Sequence, residues 1–325
     1  MFAYIIRRVL YAIPILIGVN LITFVLFFVV NSPDDMARLH LGVKHVTQEA
    51  IQKWKVERGY DKPLIINPSG PGLEKFTGTI FYEKSVALFA FKFGRADDGR
   101  DIGLDISQRM WPSLAIALPT FLIGMLVNIT FAMLMAFFRA TYIDVWGVVL
   151  CVVLMSVSGL FYIIGGQYLI SKLWHLVPIS GYDLGANAFK FILLPVVIGV
   201  ISGIGAGGRW YRTIFLEEIG KDYVRTARAK GLSELRVLFG HVLKNGMIPI
   251  LTGAVAVFPL LFMGSLILES FFGIPGLGSY TIDAINSQDF AIVRAMVFLG
   301  SVLYIVGLIL TDISYTIVDP RVRLA

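Results

Sequence analysis

The residues that could do chemistry in this sequence are few, and their spacing forms no catalytic set. The only cysteine, Cys151, lies in an apolar run with no histidine nearby, and the serines lack a nucleophile-elbow context. No HExxH motif is present, and four histidines show no metal-ligand spacing: His40, His45, His175 and His241. We therefore predict no catalytic residue, no metal site and no enzyme activity on this chain.

Nucleotide-binding patterns are also missing or out of context. Gly220-Lys221 lacks both the upstream glycine and the following hydroxyl residue of a GxxxxGK[ST] loop. The segment 203–208 matches GxGxxG, but it follows no strand and lies in an apolar stretch, where small residues favour close helix packing. We predict no cofactor on this chain.

Composition identifies the solvent that surrounds these residues. Hydrophobic residues make up 57% of the 325 residues, only 15% are charged, and the mean hydropathy is +0.77. So few charges cannot cover a water-soluble protein, so lipid must surround much of the chain. The net charge of +6 could indicate nucleic-acid binding, but the positions of the charges favour a topological role, and we expect no nucleic-acid partner.

Six stretches are long and apolar enough to cross a bilayer, which needs roughly 20 residues as a helix. The first follows Arg7 and Arg8 and is too long for a cleaved signal, so we interpret it as a retained anchor helix. The sequence thus predicts an all-α integral membrane protein with about six transmembrane helices, at Val9–Val30, Leu114–Phe138, Val145–Ser171, Phe191–Gly208, Ile248–Phe272 and Ala291–Leu310.

Lysine and arginine bias predicts that both termini are cytoplasmic. On that orientation the inner segments carry Arg139, eight basic residues within 209–244, and the pairs Arg7/Arg8 and Arg321/Arg323. The short outer segments carry only Lys172, Lys190 and Arg294. Segment 31–111 holds twelve basic and eleven acidic residues, and its length lets it translocate whatever its charge.

Three domains follow: an anchor helix at 1–30, an extracytoplasmic domain at 31–111, and a five-helix core at 112–325 with a cytoplasmic loop at 209–247. Within the outer domain, Val46–Arg58 has helical spacing and ends at Gly59. Asn67–Gly72 is a turn cluster. Phe76–Phe93 is aromatic and β-like, and we expect it on the membrane surface or against helix ends.

Ionisable and polar residues at membrane depth are candidates for a transport pathway. Glu269 could receive a substrate ammonium or gate the outer mouth, or it could bond to the backbone of the turn-rich segment that follows it. Asp312 could pair with Arg321 or with a partner. The remaining candidates could line a pathway or hydrogen-bond between helices: Asn128, Ser156, Ser158, Gln167 and Thr252.

The inner loop holds the most informative pattern. We expect a helix over Thr226–Lys230, a left-handed cap at Gly231, and a second short helix that Ser233 caps near Glu234. Small residues, including Ala227, would let another body approach closely. Such an element could transmit force from a soluble partner, or it could be a basic loop that touches anionic lipid.

The stretch YVRTARAKGLSELRVLFGHVLKNGMIP resembles the EAA loop of permease subunits in the dipeptide/oligopeptide/nickel branch of ABC importers. Thr226-Ala227 stand where many permeases have Glu-Ala, and Gly231 matches the motif glycine, although Pro249 comes later than the commonest spacing. Further similarities run along most of the chain, at Tyr60–Leu64, Phe93–Arg95, Ile106–Leu114, Glu269–Gly278, Asp312–Tyr315 and Asp319–Arg321.

This resemblance implies a bacterial inner-membrane permease subunit that forms half of a pathway for peptides or peptide-like solutes. It implies a homologous second permease, two ABC ATPases that hold ATP and Mg, an extracytoplasmic solute-binding protein, and contact with membrane lipid. The alternatives are a secondary transporter or a permease for another substrate such as a nickel chelate. The resemblance assigns ATPase coupling to Thr226, Ala227, Arg228, Ala229, Lys230, Gly231, Leu232, Ser233 and Glu234.

Overall fold

A computed structural model describes residues 2–42, 46–68, 71–183 and 185–318. Within these ranges the regular elements are all helical, and the β-structure is limited to an isolated bridge between Arg95 and Asp101. The all-α prediction is confirmed for this part of the chain. The α-helices are α1 Phe2–Phe24, α2 Pro33–Leu41, α3 Gln48–Arg58, α4 Glu74–Thr77, α5 Ile80–Lys84, α6 Ile102–Phe137, α7 Tyr142–Ser156, α8 Gly159–Gly166, α9 Ala188–Ile219, α10 Asp222–Ala229, α11 Glu234–Val237, α12 Lys244–Val257, α13 Leu266–Phe272, α14 Leu277–Asn286 and α15 Phe290–Val318.

Five continuous helical segments are long and apolar enough to cross a membrane, and a bent pair of helices gives a sixth candidate. The five segments are Ile6–Val30, Ile102–Phe137, Ala188–Ile219, Glu234–Met263 and Phe290–Ser314. The bent pair, Tyr142–Ser156 and Gly159–Leu173, replaces the straight third helix that we predicted, because the chain turns by 86° between its halves. The extended backbone of Val157 and Ser158 makes this turn.

Two other predicted boundaries were wrong. Helix α9 extends eleven residues past Gly208 to Ile219, and the next span starts at Glu234 rather than Ile248. A helix can extend beyond the bilayer, because its apolar length determines whether it can cross the membrane and not where the helix ends. The predicted fifth helix is also interrupted at Gly264, whose φ of +67° ends one span before α13 begins.

The described residues form two compact units. One lies within Met1–Arg109 and Tyr280–Ile309, and the other within Met110–Ser279 and Leu310–Leu324. We call them the first and the second unit. The predicted division at residues 30 and 111 stays a prediction.

The core of the first unit is rich in aromatic side chains. It gathers residues of α1, α2, α3 and α5 and of the turns between them: Phe24, Phe28, Met36, Ala37, Ile51, Trp54, Tyr60 and Ile80. Helix α3 ends at Gly59, which has φ +68°, as we predicted. The β-like reading of Phe76–Phe93 was wrong, because this segment forms α4, α5 and a 3₁₀ turn. The Thr79 hydroxyl accepts a hydrogen bond from the Tyr82 amide at 3.2 Å and so starts α5.

Glycines in the second unit allow close contact between spanning helices. A Cβ atom at Gly205 of α9 would lie 2.7 Å from the Cys151 carbonyl oxygen of α7, and one at Gly208 would lie 3.0 Å from the Phe131 ring of α6. The second and third glycines of the GxGxxG pattern therefore lie at tight contacts that side chains would block, whereas the first, Gly203, has open space.

Candidate functional site

The basic segment that joins the third and fourth continuous helical segments folds as an elbow, which we define as residues 221–237. Helix α10 ends at Ala229, Gly231 adopts φ +78°, and α11 begins at Glu234. The predicted helix, left-handed glycine and second helix are confirmed. Ser233 occupies the N-cap position but makes no side-chain capping bond, so that detail was wrong.

Charged side chains stabilise the elbow at two places, across Gly231 and at its first residues. The Arg228 guanidinium donates two hydrogen bonds to the Glu234 carboxylate, at 2.8 and 3.1 Å, and so bridges the two helices around Gly231. At the start of the elbow, Tyr223 and Lys221 both donate to the buried Glu218 carboxylate. Burial and the bond to Glu218 raise the pKa of Tyr223, so its phenol stays a neutral donor.

The inner face of the elbow packs on the ends of three long helices. Val224 and Ala227 are buried in one cluster with residues of α6, α9, α11 and α12 and of the segment after α11: Ala132, Met133, Ala136, Phe215, Ile219, Val237, Leu238, Val242 and Ile250. We call this the elbow cluster. Close-packed apolar contacts transmit displacement because they have little room to deform. Ala227 was expected to admit a partner, but it is only 4% exposed and faces the cluster.

The outer face of the elbow is open and basic. Thr226, Ala229, Gly231 and Ser233 are exposed there. Its exposed basic and large apolar side chains are Lys221, Arg225, Lys230, Leu235 and Arg236, and Phe239 is exposed just beyond it. Leu232 is partly buried against the elbow cluster. The nine residues of the predicted coupling motif thus divide between an outward surface and an inward anchor.

Sequence reasoning missed an ion pair between α7 and α9. The Arg212 guanidinium donates to both oxygens of Asp144, at 2.7 and 2.8 Å, and the Ala140 amide donates to the same carboxylate. Asp144 is buried. A lone carboxylate in the first turn of an apolar helix was the available signal, but its partner lies 68 residues away.

Two adjoining cavities in the second unit lie along α6, α9 and residues 257–269. Their lining is mostly apolar, and we call them the polar crevice after the few polar side chains that they reach. The cavities measure about 380 and 180 Å³, and both are lined by Thr120, Phe121 and Gly199. The smaller cavity reaches Asn128, and the larger reaches Glu269. Two of the predicted pathway candidates, Asn128 and Glu269, therefore line this crevice.

Two polar atoms along the crevice lack partners. Among the described residues, Asn128 Oδ1 and Thr120 Oγ1 are buried and accept no hydrogen bond. Leaving such a group unsatisfied costs about 1–3 kcal/mol. Asn128 packs on the bare backbone of Gly207, where a Cβ atom would lie 2.3 Å from its Nδ2.

Glu269 is enclosed by backbone. It is 1% exposed, one carboxylate oxygen accepts from the Gly278 and Ser279 amides at 2.7 and 3.1 Å, and the other accepts from the Ser265 amide at 3.2 Å. A Cβ atom at Gly276 would lie 2.2 Å from this carboxylate. Glu269 therefore holds the turn-rich segment around itself.

The other predicted pathway residues line neither cavity of the crevice, and three of them bond to backbone carbonyls. Ser156 and Thr252 each donate to a carbonyl four residues earlier in their own helix, at 2.8 Å. Gln167 donates to the Ile179 and Phe271 carbonyls, and Ser158 lies at the bend after α7. Asp312 lies within α15. Arg321, Arg323 and the Asp319–Arg321 similarity fall outside the described residues.

Comparison with known proteins gives a consistent result along the chain. Residues 113–324 match the family model described as binding-protein-dependent transport system inner membrane component, and residues 1–86 match the N-terminal model of such membrane components. A putative peptide transport system permease protein of Brucella abortus is 32% identical, with 99% of each chain covered. An oligopeptide transport system permease protein of Bacillus subtilis is 26% identical, covering 99% of this chain and 100% of its own. A glutathione transport system permease protein of Salmonella typhimurium is 28% identical, with 99% of each covered.

Proposed function

Because this chain belongs to the family of binding-protein-dependent transport system inner membrane components, we propose that it forms half of the transmembrane pathway of an ATP-driven peptide importer. The family places it among multi-pass proteins of the cytoplasmic membrane that work within ABC transport complexes. The names of the three relatives support a peptide substrate, since they refer to peptides, oligopeptides and glutathione, itself a tripeptide.

The proposed topology has both termini inside and segment 31–111 outside. Its support is the distribution of basic residues, eight of which lie within 209–244. In this orientation the elbow faces the cytoplasm and its ATPases, and the 31–111 segment faces a solute-binding protein. A second, homologous permease completes the pathway, and ATP and Mg stay on the ATPases.

Coupling is the role proposed for the elbow, and the elbow cluster is the observation that carries it. The exposed surface around Lys230 and Arg236 offers cations and apolar side chains to an ATPase, whereas Val224 and Ala227 anchor the elbow to α6, α9 and α12. A push on the outer face would therefore move three long helices together. Such motion would alternate the pathway between inward-open and outward-open states.

The polar crevice is the proposed pathway lining. Its unsatisfied Asn128 and Thr120 could bond to the amide groups that every peptide carries, which suits a pathway with little side-chain selectivity. Glu269 does not take the ammonium-binding role in this proposal, because both its oxygens already accept backbone N–H bonds.

Uptake of a labelled peptide set tests the function. Cells whose native gene is deleted should lose uptake, and the plasmid-borne chain should restore it. Thr120→Val should lower uptake, whereas Thr130→Val is the matched control on α6, because the Thr130 hydroxyl bonds to its own helix at 2.8 Å. Restored uptake of a sugar or an inorganic ion in place of peptides would overturn the peptide assignment.

Cysteine labelling tests the orientation. Cys151 is fully buried, so the wild-type chain provides a low background. A membrane-impermeant thiol reagent should label Lys53→Cys in intact cells and Lys230→Cys only after permeabilisation. The reverse pattern would place the elbow outside and remove the basis for coupling.

A further inference from the structure

Two adjoining cavities in the first unit are lined by more basic than acidic side chains. They measure about 520 and 50 Å³, and both are lined by Lys84, Arg95 and Ala291. In the larger one, the acidic residues Glu57 and Asp97 both form ion pairs with Arg58. The smaller cavity adds Lys92 and Arg294. Its one acidic residue, Glu83, already forms an ion pair with Lys62.

Arg294 contributes a buried charge to this region. It is 5% exposed, and its guanidinium donates to the Phe290 and Lys84 carbonyls at 3.2 and 3.4 Å. It also stacks 4.7 Å from the centre of the Phe28 ring. Tyr60 also hydrogen-bonds to Arg294, and the Asp289 carboxylate acts on its charge from a distance, but none of these contacts is an ion pair.

Lys84 is a second cation close to the first. Its ammonium lies 5.4 Å from the centre of the Tyr60 ring. Burial, and then the charge of Arg294, lower the pKa of Lys84. Across the described part of the chain, Lys84, Lys92, Arg95 and Arg294 form no ion pair with a carboxylate. The two linings together hold five basic and three acidic residues, so this region carries a small excess of positive charge.

The cavities lie at the depth where two spanning helices end. Phe28 precedes the end of the first span by two residues, and Arg294 follows the start of the last span by four. Beside them, Phe89 and Phe91 contact the Phe298 ring at 5.4 and 6.5 Å, and Phe91 is 57% exposed. An exposed phenylalanine beside the ends of spanning helices can enter the boundary between headgroups and acyl chains.

We propose that this basic cavity binds the phosphate of an anionic phospholipid headgroup. The phosphate oxygens would accept hydrogen bonds from Lys84 and Arg95, with Lys92 at the rim and Arg294 behind them. A phosphate matches the forked donors of arginine and supplies the charge that the cavity lacks. The acyl chains would extend along the exposed faces of the nearby spans. The site is independent of the transport pathway proposed above.

Lipid retention by the purified full-length chain tests the site. The chain would be reconstituted in nanodiscs of phosphatidylcholine, with or without phosphatidylglycerol, and its bound lipid counted by native mass spectrometry. Phosphatidylglycerol should stay bound and raise the unfolding temperature of the wild type. Lys84→Gln and Arg95→Gln should each weaken retention by about fivefold. Lys53→Gln, an exposed lysine that lines neither cavity, is the matched control.

Further measurements distinguish the lipid from other anionic ligands. Equal retention by wild type, Arg95→Gln and Lys84→Gln would overturn the site, and Arg95 is exposed, so its variant should fold even if the Lys84 variant does not. Soluble glycerol phosphate that stabilises the chain as well as phosphatidylglycerol would overturn the lipid assignment in favour of a free phosphate. Stabilisation by an acidic peptide alone would indicate a protein partner instead.

Discussion

Substitution of Gly231 tests the elbow most directly, because its backbone conformation disfavours a side chain whereas the space around it would accept one. Its φ of +78° is a conformation that side-chain-bearing residues avoid, yet apart from its two chain neighbours no described residue has an atom within 4 Å of where its Cβ would be. A substitution here therefore costs conformational energy and causes no clash within the chain.

The conformational free energy of such a substitution can be compared with that of the Arg228–Glu234 ion pair, which stabilises the elbow. A residue with a Cβ pays about 1–2 kcal/mol in the left-handed region, whereas asparagine tolerates it better. The Arg228–Glu234 bridge is partly exposed, at 34% and 57% for its side chains, and is worth about 0–1 kcal/mol. This bridge cannot offset the penalty, so the native elbow should lose about five- to thirty-fold in population.

The assay is peptide uptake per ATP hydrolysed, with each variant as the only copy of the chain. Gly231→Asn should retain most of the coupling, Gly231→Ala should lose about fivefold, and Gly231→Val about thirtyfold. Membrane abundance should be unchanged in all three. Gly240→Ala is the control, because Gly240 has similar free space and no positive φ, so it should behave as wild type.

The relative coupling of the three variants shows whether backbone conformation or side-chain size governs the effect. If a docked ATPase lies against Gly231, then size governs the effect, and alanine will transport better than asparagine. That order, or wild-type coupling in the valine variant, would refute the argument from backbone conformation.

Three further predictions follow from the geometry. Gly276→Ala should lower the unfolding temperature of the purified chain, because its Cβ would lie 2.2 Å from the Glu269 carboxylate. Asp144→Asn should destabilise the chain by about 3–5 kcal/mol, since it leaves the Arg212 charge without its partner, as urea unfolding in detergent would measure. Burial, followed by the nearby acidic charge, raises the pKa of Asp289 above its usual 3.8. The unfolded chain then loses this proton first as pH rises, so thermal stability should fall from about pH 4 up to the raised pKa and then level off.

Each of these predictions has its own control. Gly165→Ala should be neutral, because nothing lies within 4 Å of its Cβ position. Adding Arg212→Gln to the Asp144 variant should recover part of the lost stability, and simple additivity would contradict a coupled pair. Asp289→Asn should lack the acidic stability step, and a step that persists would assign it to another carboxyl.

The sequence alone determined that lipid surrounds this chain, because a composition with so few charges has no other stable environment. It also determined the local form of the elbow. The residue types at Gly231 and Gly59 are enough to predict left-handed helix ends, since that conformation depends on each residue's own sterics. The resemblance to the family could also be recognised from the sequence, because the residues of the inner-loop motif are contiguous.

Tertiary structure decided what depends on partners distant in the chain. It paired Asp144 with Arg212, and it placed backbone N–H donors on both carboxylate oxygens of Glu269. It also buried Ala227 in the elbow cluster while leaving Lys230 exposed to solvent. Periodicity could not foresee these outcomes, because a helical pattern gives the face of a residue but not what that face meets. The same limit explains the bend at Ser158: apolar content sets how long a membrane segment can be, whereas packing decides where it turns.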